Sequence, residues 1–531
     1  MSERKVFDRR WFMCDLARRR VFVRDEFILW LDALARLGYN GLGIYLEGAF
    51  DFDSIPGVIR EGVLTPEDAK WIVEEGKKRG IFVFPMTNVV GHMEHFFGQE
   101  RNRHLKSDPS AGGSDRQMDF LNPEAEAFAM NIVHEYARHF NTGMVHIGGD
   151  ETHLTPETKM DYARFLAKIC DNLLAEGIKP AIWDDMIWMD TPLSEVFSRE
   201  VFLFDWNYFG HRPESIAYFT EQGFKDIVVC PCDNCWEGVI NFQHISGQLK
   251  ARTDIPVKPD EIEAFLDDAA KQGLYGGLLT NWENTGGRNM WAQWVPFARA
   301  ALYMNGQWEA GSRNDEAIEK ALFGRMTPYT EVTYILQEKV QRPDLPQEWF
   351  YYMRDSLFVP AKMSALILRA AKETPSFPED IDHALTLIDE KLAAWTPETP
   401  FEERCLAGMY GAAAIVSAAN KIVKAGRGYQ YYLRASKMQF ISADVAAQLL
   451  GRLSGLFRSA AAELETCILV YGAALNKTGH APNDVVFMKE NAGMLSRIAG
   501  LIDSYIPTLS RIPLPRFERI IDRVVTGTPI L

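Results

Sequence analysis

The sequence offers no run of residues that reads as a membrane span, and its charged N-terminus has no apolar segment of the kind a secretory leader needs. Neither an anchor nor an exported protein is expected, and a cytoplasmic location is. Cysteine is scarce, seven in 531 residues. The odd number and scattered spacing speak against a disulfide framework and for reduced thiols. Cys230, Cys232 and Cys235 crowd one stretch, but no fourth ligand lies at zinc spacing nearby. Positive charge is short too. Lys and Arg number 57 against 72 Asp and Glu, a net charge of −15, and no basic stripe breaks that balance, so nucleic acid is not an expected partner.

What the chain does have is a large hydrophobic share, 47% of residues, arranged in a recurring order. Short apolar runs near 11–15, 39–46, 81–86, 143–149, 180–184, 201–205, 226–230 and 275–280 alternate with amphipathic stretches at 25–37, 66–79, 122–140, 157–177, 213–222, 259–272 and 291–305, with a poorly defined segment at 193–199. Eight βα units in about 300 residues predict a (β/α)8 TIM barrel over 1–310. Thr65-Pro66-Glu67-Asp68 and Asn122-Pro123-Glu124 each place a capping side chain ahead of a proline, as helix starts do. After about 310 the strand alternation stops. Ala, Leu, Glu and Lys at helical spacing predict an all-α C-terminal domain over 311–531, with a break between helices at Gly426-Arg427-Gly428 and with packing on the barrel or a homodimer face as its expected uses.

Barrel sites lie at the C-terminal ends of the strands, and there this chain concentrates polar residues and tryptophans. Strand 4, Met144 to Gly149, halts in two glycines followed by Asp150, Glu151, Thr152 and His153. Adjacent strand residues face opposite ways, so both carboxylates can serve one site only if the chain turns there. An acidic helix start would be the plainer reading of the same residues. Strand 2 ends in Glu47, and strand 3 leads to Gly91-His92. Strands 5 to 8 bring Trp183 with Asp184 and Asp185, Trp206 with Tyr208, Trp236, and Trp282 with Glu283. An aromatic wall with carboxylates between suits a sugar, whose apolar ring faces stack while its hydroxyls seek acceptors. The long connection 87–121 reads as a flap over the barrel mouth.

These residues carry a resemblance. His146-Ile147-Gly148-Gly149-Asp150-Glu151 resembles the signature of glycoside hydrolase family 20, the β-N-acetylhexosaminidases. Arg10 to Arg18 is similar to that family's Arg-Gly-x-x-x-Asp-x-x-Arg, Pro85 to His92 to its Pro-x-x-x-x-x-Gly-His, and Trp183-Asp184-Asp185 to its Trp-x-Glu. The absence of a preceding α/β domain and the helical C-terminal region resemble the family's shorter branch. The resemblance implies a retaining exo-enzyme acting on terminal β-linked N-acetylglucosamine or N-acetylgalactosamine of an oligosaccharide or glycoconjugate. Such an enzyme would need no metal or cofactor. Asp150 would orient the acetamido group, whose carbonyl oxygen closes an oxazolinium ring, and Glu151 would be the acid/base, holding its proton at neutral pH through the like charge of Asp150. Arg10 would hold hydroxyls deep in the pocket, and Glu47 stands where the family has a hydroxyl-binding Asp. His92, His146, Trp183, Asp185, Trp206, Tyr208, Trp236, Trp282 and Glu283 complete the expected substrate contacts, Trp236 standing where the family has an acetamido-binding Tyr. Two other readings remain: a metal-dependent hydrolase using His146, Asp150, Glu151 and His153, and a sugar-binding protein without catalysis.

Overall fold

The computed structural model describes residues 5–18, 22–57, 63–208, 211–233, 261–282, 290–309, 312–336, 357, 367, 380–436, 442–478 and 482–509. Eight parallel strands close into a barrel in sequence order, β1 (Arg9–Asp15), β2 (Gly41–Tyr45), β3 (Phe82–Met86), β4 (Met144–His146), β5 (Lys179–Trp183), β6 (Phe202–Trp206), β7 (Ile227–Cys230) and β8 (Gly276–Asn281), with β8 returning to pair with β1. Helices run between most of them, among them Arg24–Arg36, Pro66–Lys78, Ala125–Phe140, Lys159–Ala175 and Pro213–Glu221. The segment at 193–199 contributes only the single turn Thr191–Ser194.

Side-chain alternation along the strands fills the barrel from below. Trp11 lies at the centre of the lower layer, its ring centroid 5.1 Å from Phe84 and 6.1 Å from Phe204. The indole fits because Gly41 faces it across the β1–β2 pair; a Cβ there would stand 2.1 Å from the Trp11 ring. Above this layer His146 packs on Trp183 and Phe204, at 4.4 and 4.8 Å. Beyond those rings the strand ends bring in Asp15, Tyr45 and the carboxylates that follow β4, with Trp282 against Tyr45.

Local chemistry explains the helix boundaries. The expected start at Thr65 is a full capping box, Thr65 accepting from the Asp68 N–H while the Asp68 carboxylate accepts from Thr65 N–H. At Asn122 the side chain accepts from the Glu124 N–H instead, and the helix opens at Ala125.

The described residues separate into two compact units. The first runs through Gly324, leaving out 290–294, and so extends past the expected boundary at 310. It keeps the helix Asp315–Phe323, whose Ile318 and Leu322 are fully buried. The second unit is helical: the segment 290–294 with the residues from Arg325 onward, dominated by the helices Pro400–Ser436, Ala443–Thr478 and Pro482–Tyr505. Within it Phe401 packs on Trp291 and Trp294, at 5.7 and 5.0 Å.

Two expectations about this unit are corrected. Gly426-Arg427-Gly428 does not break a helix, for it lies inside the continuous Pro400–Ser436. The space a Cβ on Gly428 would need is taken by the Leu456 side chain, 2.2 Å away, so the glycine permits close helix packing rather than ending a helix. Nor is the chain without a segment of membrane-spanning length: Pro400–Tyr432 is long and apolar enough by composition. Of its most apolar window 61% is buried within the protein, as for the central helix of a packed helical unit.

Candidate active site

Strand β4 ends at His146, three residues sooner than expected, and four residues then reverse the chain. Gly148 and Gly149 have φ of +78° and +101°, and Glu151 follows at +49°. A Cβ on Gly148 would lie 2.5 Å from Asn88, and one on Gly149 2.6 Å from Leu166. Both glycines are therefore required twice, for conformation and for space. The turn places Asp150 inside the barrel, 8% exposed, and leaves the Glu151 side chain half exposed above it. Gly148→Ala should cost about 2 kcal/mol or more, from the left-handed backbone and the clash with Asn88; denaturant unfolding against the parent chain measures it.

Asn88 organises the buried side. Its amide donates to Asp150 Oδ1 at 2.5 Å while its own oxygen accepts from the Gly149 N–H at 3.1 Å. On the other side Asp185 Oδ2 accepts from the Glu151 N–H at 3.0 Å. His92, itself at φ +50°, brings Nε2 within 3.3 Å of Glu151 Oε2 and 3.7 Å of Asp150 Oδ2. Three of the described non-glycine residues with left-handed backbone, Glu47, His92 and Glu151, thus converge here. Strain gathered this way marks a site held in place by its surroundings.

Charge follows from that geometry. Burial would lower the His92 pKa, but its hydrogen bond to Glu151 and the charges of Asp150 and Glu47 outweigh it and raise it to about 9. Glu151 is lowered, chiefly by that same hydrogen bond. Asp150 is raised by burial and by Glu151, with His92 opposing. The expectation that Asp150 would hold a proton on Glu151 is thereby corrected for the open site, since the imidazolium beside Glu151 dominates over the like charge. Asp185 is pushed to about 7, by burial and then by Asp150.

Glu47 is almost fully buried, Oε1 accepting from the Tyr45 hydroxyl at 2.7 Å and facing Arg18 at 3.4 Å, with His95 3.7 Å from Oε2. Arg18 also pairs with Asp15 at 2.9 Å and lies 5.0 Å over the Trp282 ring. Trp282 donates to the Tyr208 hydroxyl at 2.7 Å and stands 6.1 Å from Trp183. Trp206, half buried, packs on Tyr208 at 4.8 Å, and its backbone is tied to Asp184, which shares Arg212 with Asp205. Trp236 and Glu283 lie outside the described residues.

Arg10 is not part of this assembly. It sits at the N-terminal end of β1, donating to the Gly38 and Phe7 carbonyls, five residues and the height of the barrel from Asp15. Arg18, just beyond the C-terminal end of the same strand, is the guanidinium that reaches the site. The proposed metal set is not assembled either. His146 Nδ1 accepts from the Gly148 N–H and its pKa falls to about 3 through burial, while the His153 backbone is clamped by Gln117. Among the described residues, the site group whose ligand atoms lie within 4.8 Å of one another is His92, Asp150 and Glu151. Asn88 and Arg18 escaped sequence reading as site residues. Both lay within the quoted motifs, but a strand-end position alone does not say which side chain turns inward.

Residues 10–237 match the glycosyl hydrolase family 20 catalytic domain. That stretch belongs to family 20. The chain is 25% identical over 173 residues to the lacto-N-biosidase of Bifidobacterium bifidum, an alignment covering 29% of this chain and 15% of that protein. Among solved structures, the chain is similar to the β-N-acetylhexosaminidase of Bacteroides fragilis at 18% identity and a TM-score of 0.46, over 64% of this chain and 72% of that one. It is likewise similar to the β-N-acetylhexosaminidase of Streptomyces coelicolor, at 18% identity and 0.45, over 61% and 69%.

Proposed function

We propose that the family 20 domain is a retaining exo-β-N-acetylhexosaminidase that removes a terminal N-acetylhexosamine by substrate-assisted catalysis. The observation that carries this reading is the pair Asp150 and Glu151, adjacent in sequence yet at two depths, one buried and bound to Asn88, the other half exposed beside His92. The terminal sugar would take the deep end, beside Trp183 and Trp282, with Glu47 and Arg18 as partners for its hydroxyls. Asp150 would accept the acetamido N–H and turn the carbonyl oxygen toward the anomeric carbon. An attacking group already attached to the substrate benefits from high effective molarity. As the oxazolinium ring forms, the glycosidic bond breaks and the departing oxygen takes a proton from Glu151. His92 holds that proton in the open site and passes it to Glu151 Oε2 across 3.3 Å. Glu151, again a carboxylate, then takes a proton from the water that opens the ring.

This proton route has a pH signature. His92 is charged below about 9 and neutral above it, so kcat/KM, which reports the free enzyme, should fall as pH rises through about 9. In His92→Gln that alkaline limb should vanish along with most of the rate. An imidazolium has no lone pair for a metal, and we expect dialysis against EDTA to leave activity unchanged. Activity lost to EDTA and restored by a divalent ion would revive the metal reading. The decisive assay compares nitrophenol release from the β-N-acetylglucosaminide, the β-N-acetylgalactosaminide and the plain β-glucoside. Cleavage of the first two and not the third is expected; equal cleavage of all three would rule out the acetamido nucleophile.

A further inference from the structure

A cleft of about 270 Å³ opens outward from Glu151, and its walls include His92, Arg116, Gln117 and His153. The deep end of the site, with Asp150, Glu47 and the tryptophans, lies on the other side of the acid. A sugar that places its anomeric carbon over Asp150 must direct its departing group past Glu151 into this cleft. The cleft is built by the connection between β3 and the helix Ala125–Phe140, the same stretch that has no regular period in sequence.

That stretch is firmly held. Met93 N–H donates to the Arg116 carbonyl and Met118 N–H to the Val90 carbonyl, both at 2.8 Å, and Ser107 N–H donates to Gln117 at 2.8 Å. Gln117, 3% exposed, uses its side-chain amide to clamp both backbone groups of His153, at 2.8 and 3.2 Å. Arg116 and His153 are thereby fixed at the rim with their side chains in solvent. Two cations face the cleft, Arg116 and the His92 imidazolium, against the one carboxylate of Glu151. No ion pair to the Arg116 guanidinium occurs among the described residues, and in a chain of net charge −15 such a local excess of positive charge is out of keeping with its surroundings.

We propose that this cleft is a leaving-group subsite selective for an anionic residue, one whose carboxylate or sulfate is taken by Arg116, with His153 beside it. The inference rests on the hexosaminidase reading and adds to it the class of group from which the sugar is released. A carboxylate meeting a guanidinium forms charge-assisted hydrogen bonds, weakened here by exposure and screened by salt. The arrangement also bears on the chemistry. An anion that engages Arg116 offsets its pull on Glu151, so its arrival favours the protonated acid at the moment the proton is needed.

The test compares three disaccharides on the full chain, N-acetylglucosamine β-linked through the same hydroxyl to glucuronic acid, to glucose and to glucose 6-sulfate. In each protein the neutral disaccharide is the reference, and the ratio of kcat/KM values is the readout. We expect the glucuronide or the sulfate to be preferred by about tenfold at low salt, the better of the two naming the anion. The preference should fall below about twofold in Arg116→Met and in 0.5 M salt, and Arg116→Lys should recover part of it. Equal rates for charged and neutral disaccharides, or a preference that survives in Arg116→Met, would overturn the subsite while leaving the hexosaminidase reading intact. If no disaccharide and no nitrophenyl N-acetylhexosaminide is cleaved, the function fails and the subsite with it.

Discussion

Glu151→Gln is expected to lower kcat/KM by about 10²–10⁴ for substrates with poor leaving groups, the contribution typical of a positioned general acid. The substitution keeps the volume of the side chain and its place 3.3 Å from His92, but it removes the oxygen that carries the proton. The loss should shrink toward tenfold or less for nitrophenolates, which depart without protonation. That dependence on the leaving group separates a missing acid from a damaged site. If Glu151→Gln slowed nitrophenyl and alkyl glycosides by the same factor, the acid would have to be assigned elsewhere. Asp185 would be the group to suspect, since it touches the Glu151 backbone and its pKa is pushed to about 7.

Asp150→Asn should be comparably damaging for a different reason. Its Oδ1 accepts from the Asn88 amide at 2.5 Å, so an asparagine must either turn its own NH2 against that donor or present the NH2 to the substrate. The first sets two donors against each other and pushes the side chain out of place, and the second leaves the acetamido N–H without its acceptor. Good and poor leaving groups should then slow alike, by about 10²-fold or more, as expected when a near-attack geometry is lost. A thiazoline that mimics the cyclised intermediate should bind more weakly, while N-acetylhexosamine product should bind nearly as before. Full retention of thiazoline affinity in a folded Asp150→Asn would contradict the role given to this residue. Asn88→Ala is the natural companion, because Asn88 holds both Asp150 and the Gly149 N–H.

The barrel was legible because hydrophobic periodicity is a local property. Each buried parallel strand had to be an apolar run and each helix an amphipathic one, so eight alternations could be counted without knowing how they close. The strand-4 stop was legible for a similar reason: two consecutive glycines before two carboxylates leave few conformations other than a sharp reversal. The reading went wrong where a residue's meaning depended on what lay across from it. A glycine pair in a helical stretch reads as a break until Leu456 is seen filling the space of the missing Cβ. Arg10 came from the family pattern, and only the fold shows its guanidinium tied to the Gly38 and Phe7 carbonyls while Arg18, past the other end of the strand, reaches Glu47.

By itself, then, the sequence determined the βα order, the helical region after it, the carboxylate pair and the cluster of tryptophans, all features whose cause lies within a few neighbouring residues. Only the tertiary structure decided who stands next to whom: Asn88 under Asp150, Asp185 behind the Glu151 backbone, Arg18 beside Glu47, and His92 between the two carboxylates. The proton's location belongs to that second class. Asp150 is the sequence neighbour of Glu151, but His92, 59 positions away in sequence, is its hydrogen-bond partner and sets its charge. Electrostatic interactions depend on distance and burial in space, which separation along the chain does not record.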